Sequence, residues 1–401
     1  MSELCTSFDD IILDEKILRG IYAYGWEKPS QIQEKTLKPM LDNQDMIIQS
    51  NAGSGKTGVF AIGALTKVDP KIKRSQVLII SPTRELAIQT YNILCKLSNF
   101  SEVSISLHRG CSTKNTQIEK VSGSERAKGY ISYGETEKYQ ENIIIGTPGR
   151  LLDLLRKKLL NIESLKMLIL DEADELLMPS NEFQNTIYAI NNFIINKCQT
   201  IIVSATMPQE VLNSLDKIIK NPTKILLQNK DLPLDGIKQY YVVLEHEQDK
   251  LLCLIDIYSN ISIQQSIIFV NRKDKIDYIY EKMKENGFTI SCIYGTMSQS
   301  DRDAIMLDFR SGKTRILIAT DLLARGIDVQ GVSTVFNYDL PNNKENYIHR
   351  IGRSGRFGKK GIAINFVLEP SGNKPKSIQE IESFYSCQIN PLPLLSNLGN
   401  T

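Results

Sequence analysis

The chain's 401 residues exceed the ~150 of a common domain more than twofold, which predicts two domains of roughly 200 residues each. With 41% hydrophobic and 23% charged residues, 24 Gly and 14 Pro, the composition excludes collagen-like, mucin-like and largely disordered chains and allows sizeable cores. Forty-eight Lys and Arg against 46 Asp and Glu leave a net charge of +2, too even for a protein that coats nucleic acid by bulk charge, so any phosphate contacts are local.

Taken in chain order, residues 1–10 carry acids and no basic n-region, and apolar runs reach only about five residues, so neither secretion nor a membrane span is expected. Apolar, largely β-branched runs at Met46–Ile48, Val77–Ile80, Ile143–Ile145, Met167–Leu170 and Ile201–Val203 are separated by helix-length segments. That pattern predicts strands buried on both faces of a parallel sheet. Between Gly110 and Asn142 the sequence turns polar, and a long surface loop or partly disordered insertion is expected there. Asn221-Pro222 and the turn-forming run Asp231–Gly236 place a linker at about 226–237. A second series follows at Ile267–Val270, Ser291–Tyr294, Ile316–Ala319, Val335–Tyr338 and Ile362–Phe366. The chain thus reads as two doubly wound α/β domains, 1–225 and 238–401. Seven scattered cysteines without a Cys-x-x-Cys pair suggest neither a disulfide framework nor a zinc cluster, which fits a reducing cytosol or nucleus.

Most of the predicted strands run into a polar cluster at the C-terminal end, the edge where open parallel sheets bind ligands. Ser50-Asn51-Ala52-Gly53-Ser54-Gly55-Lys56-Thr57 ends a strand and opens a helix, as a phosphate-binding loop requires. Its glycines let backbone N–H groups curl around phosphate oxygens, Lys56 neutralises the β- and γ-phosphates, and the Thr57 hydroxyl can bind Mg²⁺. Ser50 stands where the strict pattern has Gly, and the alternative is a structural Gly-rich turn. Asp171-Glu172-Ala173-Asp174 follows another strand and suits a second Mg²⁺ anchor, Asp171, beside a base, Glu172, that orients or deprotonates the attacking water. A solvated acidic helix start is the competing reading. His349-Arg350-Ile351-Gly352-Arg353-Ser354-Gly355-Arg356 concentrates arginines that can stabilise a transferring phosphoryl group, or forms a generic basic patch.

The order Gln33, Gly53–Thr57, Pro82–Ala87, Thr147–Arg150, Asp171–Asp174, Ser204-Ala205-Thr206, Ala324–Asp328 and His349–Arg356 resembles the DEAD-box RNA helicases over nearly the whole chain. Leu18–Gly25, Thr320–Gln330 and Asn346–Arg350 look most like the initiation factor 4A branch of that family, with the exon-junction branch as nearest competitor. The resemblance implies two tandem RecA-like parallel-sheet domains joined by a short linker, with ATP and Mg²⁺ as ligands. It makes Gln33 the reader of the adenine edge and Trp26, the one Trp in the chain, the residue stacked on the adenine, with Lys28 close by and Ala52, Gly53, Ser54 and Gly55 around the phosphates. A core Trp is the plain alternative. Ser204 and Thr206 would couple the ATP site to RNA remodelling. Gly326 and Asp328 would touch the nucleotide, Arg353 and Arg356 would be arginine fingers, and His349 would link to the acidic motif.

RNA contacts implied in the same way are Thr83, Arg84, Gly110, Thr147 and Arg150 in the first domain and Arg272, Gly295, Gln299, Arg302 and Thr320 in the second. Such contacts are mostly to the backbone, so sequence-tolerant, salt-sensitive binding is expected. Gly110-Cys111 replaces the family's paired glycines, Tyr294-Gly295-Thr296-Met297 departs from the usual segment, and the stretch 112–141 is longer by ~15 residues, a tolerable surface insertion. The reading is an ATP-dependent RNA helicase with a monomeric core, active in translation initiation with a factor 4G-type scaffold and a cap-binding protein, cytoplasmic or, alternatively, nuclear. An ATP-dependent RNA clamp is the competing class, and a related DNA helicase is disfavoured.

Overall fold

A computed structural model describes residues 7–12, 14–50, 54–108, 129–132, 139–179, 182–194, 198–226, 236–321, 331–355, 360–369 and 374–393. The chain divides into two compact units, Met1–Leu227 and Gln228–Thr401.

The first unit is built on strands β1 Met46–Gln49, β2 Val77–Ile80, β3 Ile105–His108, β4 Gly129–Ser132, β5 Ile143–Gly146, β6 Met167–Leu170, β7 Gln199–Ser204 and β8 Thr223–Leu226. Their order across the sheet is β4-β3-β5-β2-β6-β7-β1-β8, and every pairing is parallel. The residues of β2, β5 and β6 are buried throughout, as strands covered on both faces must be. Each large aliphatic side chain so buried contributes roughly 1.5–3 kcal/mol. One face is packed by Leu151, Leu154 and Leu155 of helix Pro148–Arg156 with Leu176, Ile187 and Ile190 from the segments that follow β6. Helix Lys56–Lys67 is buried along Val59–Leu65, and Gly63 lets Met40 of helix Gln31–Leu41 approach to a distance a Cβ would forbid.

The second unit carries β9 Ile237–Leu244, β10 Gln265–Phe269, β11 Ile290–Ile293, β12 Ile316–Ala319, β13 Val332–Asn337, β14 Gly361–Leu368 and β15 Asn390–Pro391. Its order is β11-β12-β10-β13-β14-β9-β15, again parallel throughout. Three apolar clusters serve it, one of them around Ile268, Phe336 and Phe366, another around Phe269 and Phe309, and a third around Tyr347 and Tyr385.

Two expectations are modified. The polar stretch after His108 includes a strand, β4, added in parallel to β3 (Ile105 opposite Gly129), and residues 109–128 and 133–138 lie outside the described set. β3 and β8 also form where no continuous apolar run announces them, and β9 ends in an apolar run, Tyr240–Leu244, that the strand expectations did not include. Among the described residues no helix is long and apolar enough to cross a membrane.

Candidate functional site

Because all strands of a sheet are parallel, their C-terminal ends share one edge, and the singled-out residues fall on it. In the first unit the edge is partitioned by strand order. Neighbouring β6, β7 and β1 end in Asp171-Glu172, Ser204 and Ser50, whereas neighbouring β5 and β2 lead to Thr147 and Thr83. The residues expected at the nucleotide therefore occupy one half of the edge and those expected at the RNA the other.

The phosphate loop turns into its helix through Gly55 at φ +101°, a left-handed conformation that favours Gly. A Cβ there would lie 2.8 Å from Ser30 Oγ and 3.2 Å from Gln33 Nε2. Ser30 and Gln33 cap helix Gln31–Leu41, the Gln33 Oε1 accepting from Ser30 N at 2.8 Å. The same two side chains reach the loop, Ser30 Oγ donating to Ser54 O at 2.9 Å and Gln33 Nε2 to Gly55 O at 3.4 Å. Trp26 is half-buried, edge-on to Tyr24 at 4.7 Å, and its ring meets Gly58 so closely that a Cβ would lie 2.6 Å away. The structure thus brings Trp26 and Gln33 onto the start of the phosphate-loop helix, and Lys28 stays exposed. Lys56 is buried and its ammonium donates to Ser50 O, while Ser50 Oγ and Ser54 Oγ share a 2.5 Å hydrogen bond. Thr57 is half-buried in the first turn; Ala52 and Gly53 lie outside the described residues. If the adenine stacks on Trp26, addition of ADP or ATP is expected to change the fluorescence of this single Trp saturably; a flat titration with binding seen by calorimetry would place the base elsewhere.

Asp171, Glu172 and Asp174 are 5%, 8% and 4% exposed, which rules out the solvated acidic helix start. Burial first, then the neighbouring Glu172 charge, pushes the Asp171 carboxyl well above the ordinary carboxylate range, with Lys56 opposing both. Asp171 Oδ1 accepts from Glu172 N at 3.1 Å. Glu172 itself adopts φ +51°, ψ 57°, an unusual conformation for a non-Gly residue, and its Oε2 is buried with no hydrogen-bond partner among the described residues. Asp174 is a member that sequence reasoning passed over: its N donates to Ser204 Oγ at 3.3 Å and its Oδ2 accepts from Thr206 Oγ1 at 2.6 Å. Ser204 and Thr206 are therefore anchored to the acidic motif directly. An all-oxygen set of Thr57 and Asp171, beside a carboxylate oxygen that lacks a partner, suits a hard dication.

On the other half of the edge, Thr83 caps helix Arg84–Leu97, accepting from Leu86 N at 3.3 Å, and Arg84 is half-buried behind it. Thr147 precedes helix Pro148–Arg156, and Arg150 pairs with Asp153 at 3.0 Å. Behind them His108 is fully buried, bonded to Ser106 Oγ at 2.9 Å and edge-on to Tyr139; burial and the Arg150 charge hold it far below the ordinary imidazole range, to about 3, and so neutral. Gly110 lies outside the described residues.

In the second unit, neighbouring β11, β12 and β10 lead to Gly295, Thr320 and Arg272. Arg302 donates to Gly295 O at 2.5 Å and Met297 O at 3.2 Å, so it shapes the departing Tyr294–Met297 segment from within. Arg272 is largely exposed and paired with Asp274, Gln299 opens helix Gln299–Arg310, and Thr320 is half-buried at the end of β12. Gly326, Asp328 and Arg356 lie outside the described residues. His349 and Arg353 are buried, with Arg353 Nε donating to His349 O at 3.0 Å.

Between them on the same motif, Arg350 has a structural role that its phosphate-like context concealed. It is fully buried and donates to Asn271 Oδ1 (2.7 Å), Asp339 O (2.6 Å), Asn337 Oδ1 (3.3 Å) and Asp321 Oδ1 (2.5 Å), tying together the ends of β10, β12 and β13. Arg350→Met leaves those acceptors without a donor and is expected to destabilise the second unit by about 3–5 kcal/mol in urea melts. Arg350→Lys, with one point charge in place of a fork, is expected to recover only a small part of the loss.

A family model for DEAD/DEAH box helicases matches residues 30–214, and one for the helicase conserved C-terminal domain matches residues 249–358. The ATP-dependent RNA helicase eIF4A of Kluyveromyces lactis is 46% identical over 387 residues, covering 96% of this chain and 92% of that protein. Its namesake from Meyerozyma guilliermondii is 44% identical over 393 residues, covering 98% and 93%. A solved structure of S. cerevisiae Dbp5 bound to RNA and ADP BeF3 superposes with a TM-score of 0.86 at 34% identity, covering 97% of this chain and 96% of that one. The motifs, the two parallel sheets and these likenesses agree: the chain belongs to the DEAD-box family, an ATP-dependent RNA helicase of the eIF4A type with two RecA-like units and RNA-stimulated ATP hydrolysis.

Proposed function

We propose that this helicase separates short RNA duplexes without regard to sequence during translation initiation. The observation that carries the reading is the partition of the first unit's sheet edge, where the neighbouring strands β5 and β2 lead to Thr147 and Thr83, assigned to RNA, while β6, β7 and β1 lead to the side chains assigned to ATP; in the second unit the neighbouring β12 and β10 lead to Thr320 and Arg272, also assigned to RNA. Helix starts and a few arginines engage phosphates whatever the base, so affinity falls with salt and is insensitive to sequence. ATP binds with Trp26 and Gln33 at the adenine and Lys56 at the phosphates. Thr57 and Asp171 hold Mg²⁺, which when bound supplies the charge that neutralises the phosphate oxygens. Glu172 takes the proton of the attacking water, and Arg353 and Arg356 of the second unit stabilise the transferring phosphoryl group. Hydrolysis therefore requires residues of both units.

The relatives named eIF4A support the initiation role. We further propose a factor 4G-type scaffold and a cap-binding protein as partners, a monomeric core and a cytoplasmic setting. A strand-displacement assay tests the reading. Purified protein with ATP and no partner is expected to separate short duplexes of unrelated sequence at similar rates; stable, ATP-dependent RNA retention without displacement would identify a clamp instead.

A further inference from the structure

The first sheet's opposite edge, where β1, β6, β7 and β8 begin, surrounds a cavity of about 820 Å³. Three lysines line it: Lys67 at the end of the phosphate-loop helix, Lys166 before β6 and Lys220 before β8. Among the described residues none of the three forms an ion pair. The Lys67 ammonium donates to two neutral acceptors, Asn43 Oδ1 and, at 2.9 Å, Gln199 Oε1. Gln199 is fixed for that task, its amide nitrogen donating to Met40 O and Gln44 O at 2.8 Å each. The one carboxylate in the lining, Asp45, uses Oδ1 to accept from Thr200 N at 2.7 Å. Burial, and after it the nearby charge of Lys166, hold the Lys67 ammonium below its ordinary range.

Three positive charges against one negative, in a polar concavity of ligand size, are complementary to an anion carrying more than one charge. Among the described residues the lining has no aromatic side chain, so these offer no stacking platform for single-stranded bases. Gln199 is fully committed, but the side-chain amide nitrogens of Asn43, Gln44 and Asn221, unused among the described residues, can donate to hydroxyl or phosphoryl oxygens. We propose that this cavity binds a small, hydroxyl-bearing molecule with at least two phosphoryl groups, at the edge of the sheet away from the ATP and RNA residues.

The test uses the full chain saturated with ADP, so that the phosphate loop is filled, and fructose 1,6-bisphosphate as the probe in calorimetric titrations at ~0.15 M salt. One-site binding is expected. Lys166→Glu combined with Lys220→Glu is expected to weaken it by about tenfold or more, while Lys71→Glu with Lys73→Glu, the same charge change on exposed residues outside the cavity, leaves it intact. No saturable binding up to about 5 mM, or equal weakening by both double variants, overturns the proposal. So does a cavity variant that binds the bisphosphate normally but loses RNA affinity, which would make the cavity part of the nucleic-acid surface.

Discussion

Replacing Glu172 by Gln is expected to lower RNA-stimulated ATP turnover by about 10²- to 10⁴-fold, the usual contribution of a positioned general base, while ATP affinity stays near that of the parent chain. The argument starts from the backbone. β6 is a fully buried apolar strand that ends at Leu170, and the chain then turns through Glu172 at φ +51° before helix Ala173–Leu177 begins. A non-Gly residue in that conformation costs roughly 1–2 kcal/mol, so the surrounding packing must hold it there. The result is a carboxylate that is buried next to Asp171 with one oxygen unpartnered among the described residues, ready to accept a proton from water. Gln preserves size and backbone preference and removes only the basic oxygen. The phosphates are expected on Lys56 and the loop, which the substitution does not touch. Because the substitution removes an ionisable group buried beside Asp171, the melting temperature is expected to hold or rise. Unchanged turnover in Glu172→Gln would remove Glu172 from the chemistry.

Arg353→Ala is expected to have an effect of comparable size, about 10³- to 10⁵-fold on RNA-stimulated hydrolysis, the range set by arginine fingers elsewhere. Arg353 follows helix Lys344–Ile351, and its Nε is held on the His349 carbonyl, which orients the planar group. Arg350, three residues earlier, locks that helix to the ends of β10, β12 and β13. The two arginines are thus expected to separate cleanly by readout. Arg353→Ala loses turnover with the urea midpoint little changed, whereas Arg350→Met loses stability. Arg353→Lys is expected to recover little, since a lysine cannot present a fixed fork to phosphate oxygens. Full hydrolysis in Arg353→Ala would exclude it from the site.

Much of this architecture was legible in the sequence because central strands of a parallel sheet are apolar on both faces. β2, β6 and β12 coincide with the runs at Val77–Ile80, Met167–Leu170 and Ile316–Ala319. The strands that escaped notice obey another rule. β8, Thr223–Leu226, lies on the sheet edge and alternates between half-buried and exposed residues, so it carries no continuous apolar signal. β9 opens on Ile237-Lys238-Gln239 and runs apolar only from Tyr240 to Leu244, a signal that the strand expectations left out. β3 is buried yet contains Ser106 and His108, tolerable inside because they hydrogen-bond to each other. A pair of buried polar residues that bond to one another cannot be told from a loop by hydropathy.

The same distinction governs the site. Lys56, Asp171 and Glu172 were legible because phosphate and acid chemistry demand particular residues at particular strand ends. Asp174 and Arg350 were harder to read because their roles depend on partners far away in sequence: Asp174 meets Ser204 and Thr206, and Arg350 meets Asn271, Asp321, Asn337 and Asp339. Motif spacing names such residues without saying whether they touch ligand or hold the frame. Burial and hydrogen bonds decide it: Arg350 has its guanidinium engaged on four protein acceptors and acts as a brace.

The central claim is that hydrolysis waits for RNA, because side chains from both units must act on one triphosphate. Steady-state ATP turnover of the intact chain, measured while a single-stranded RNA of unrelated sequence is titrated in, tests it most directly. The expected result is a saturable rise in kcat of about tenfold or more, equivalent to ~1.4 kcal/mol or more off the barrier. Turnover that is already maximal without RNA and stays flat throughout the titration would contradict it.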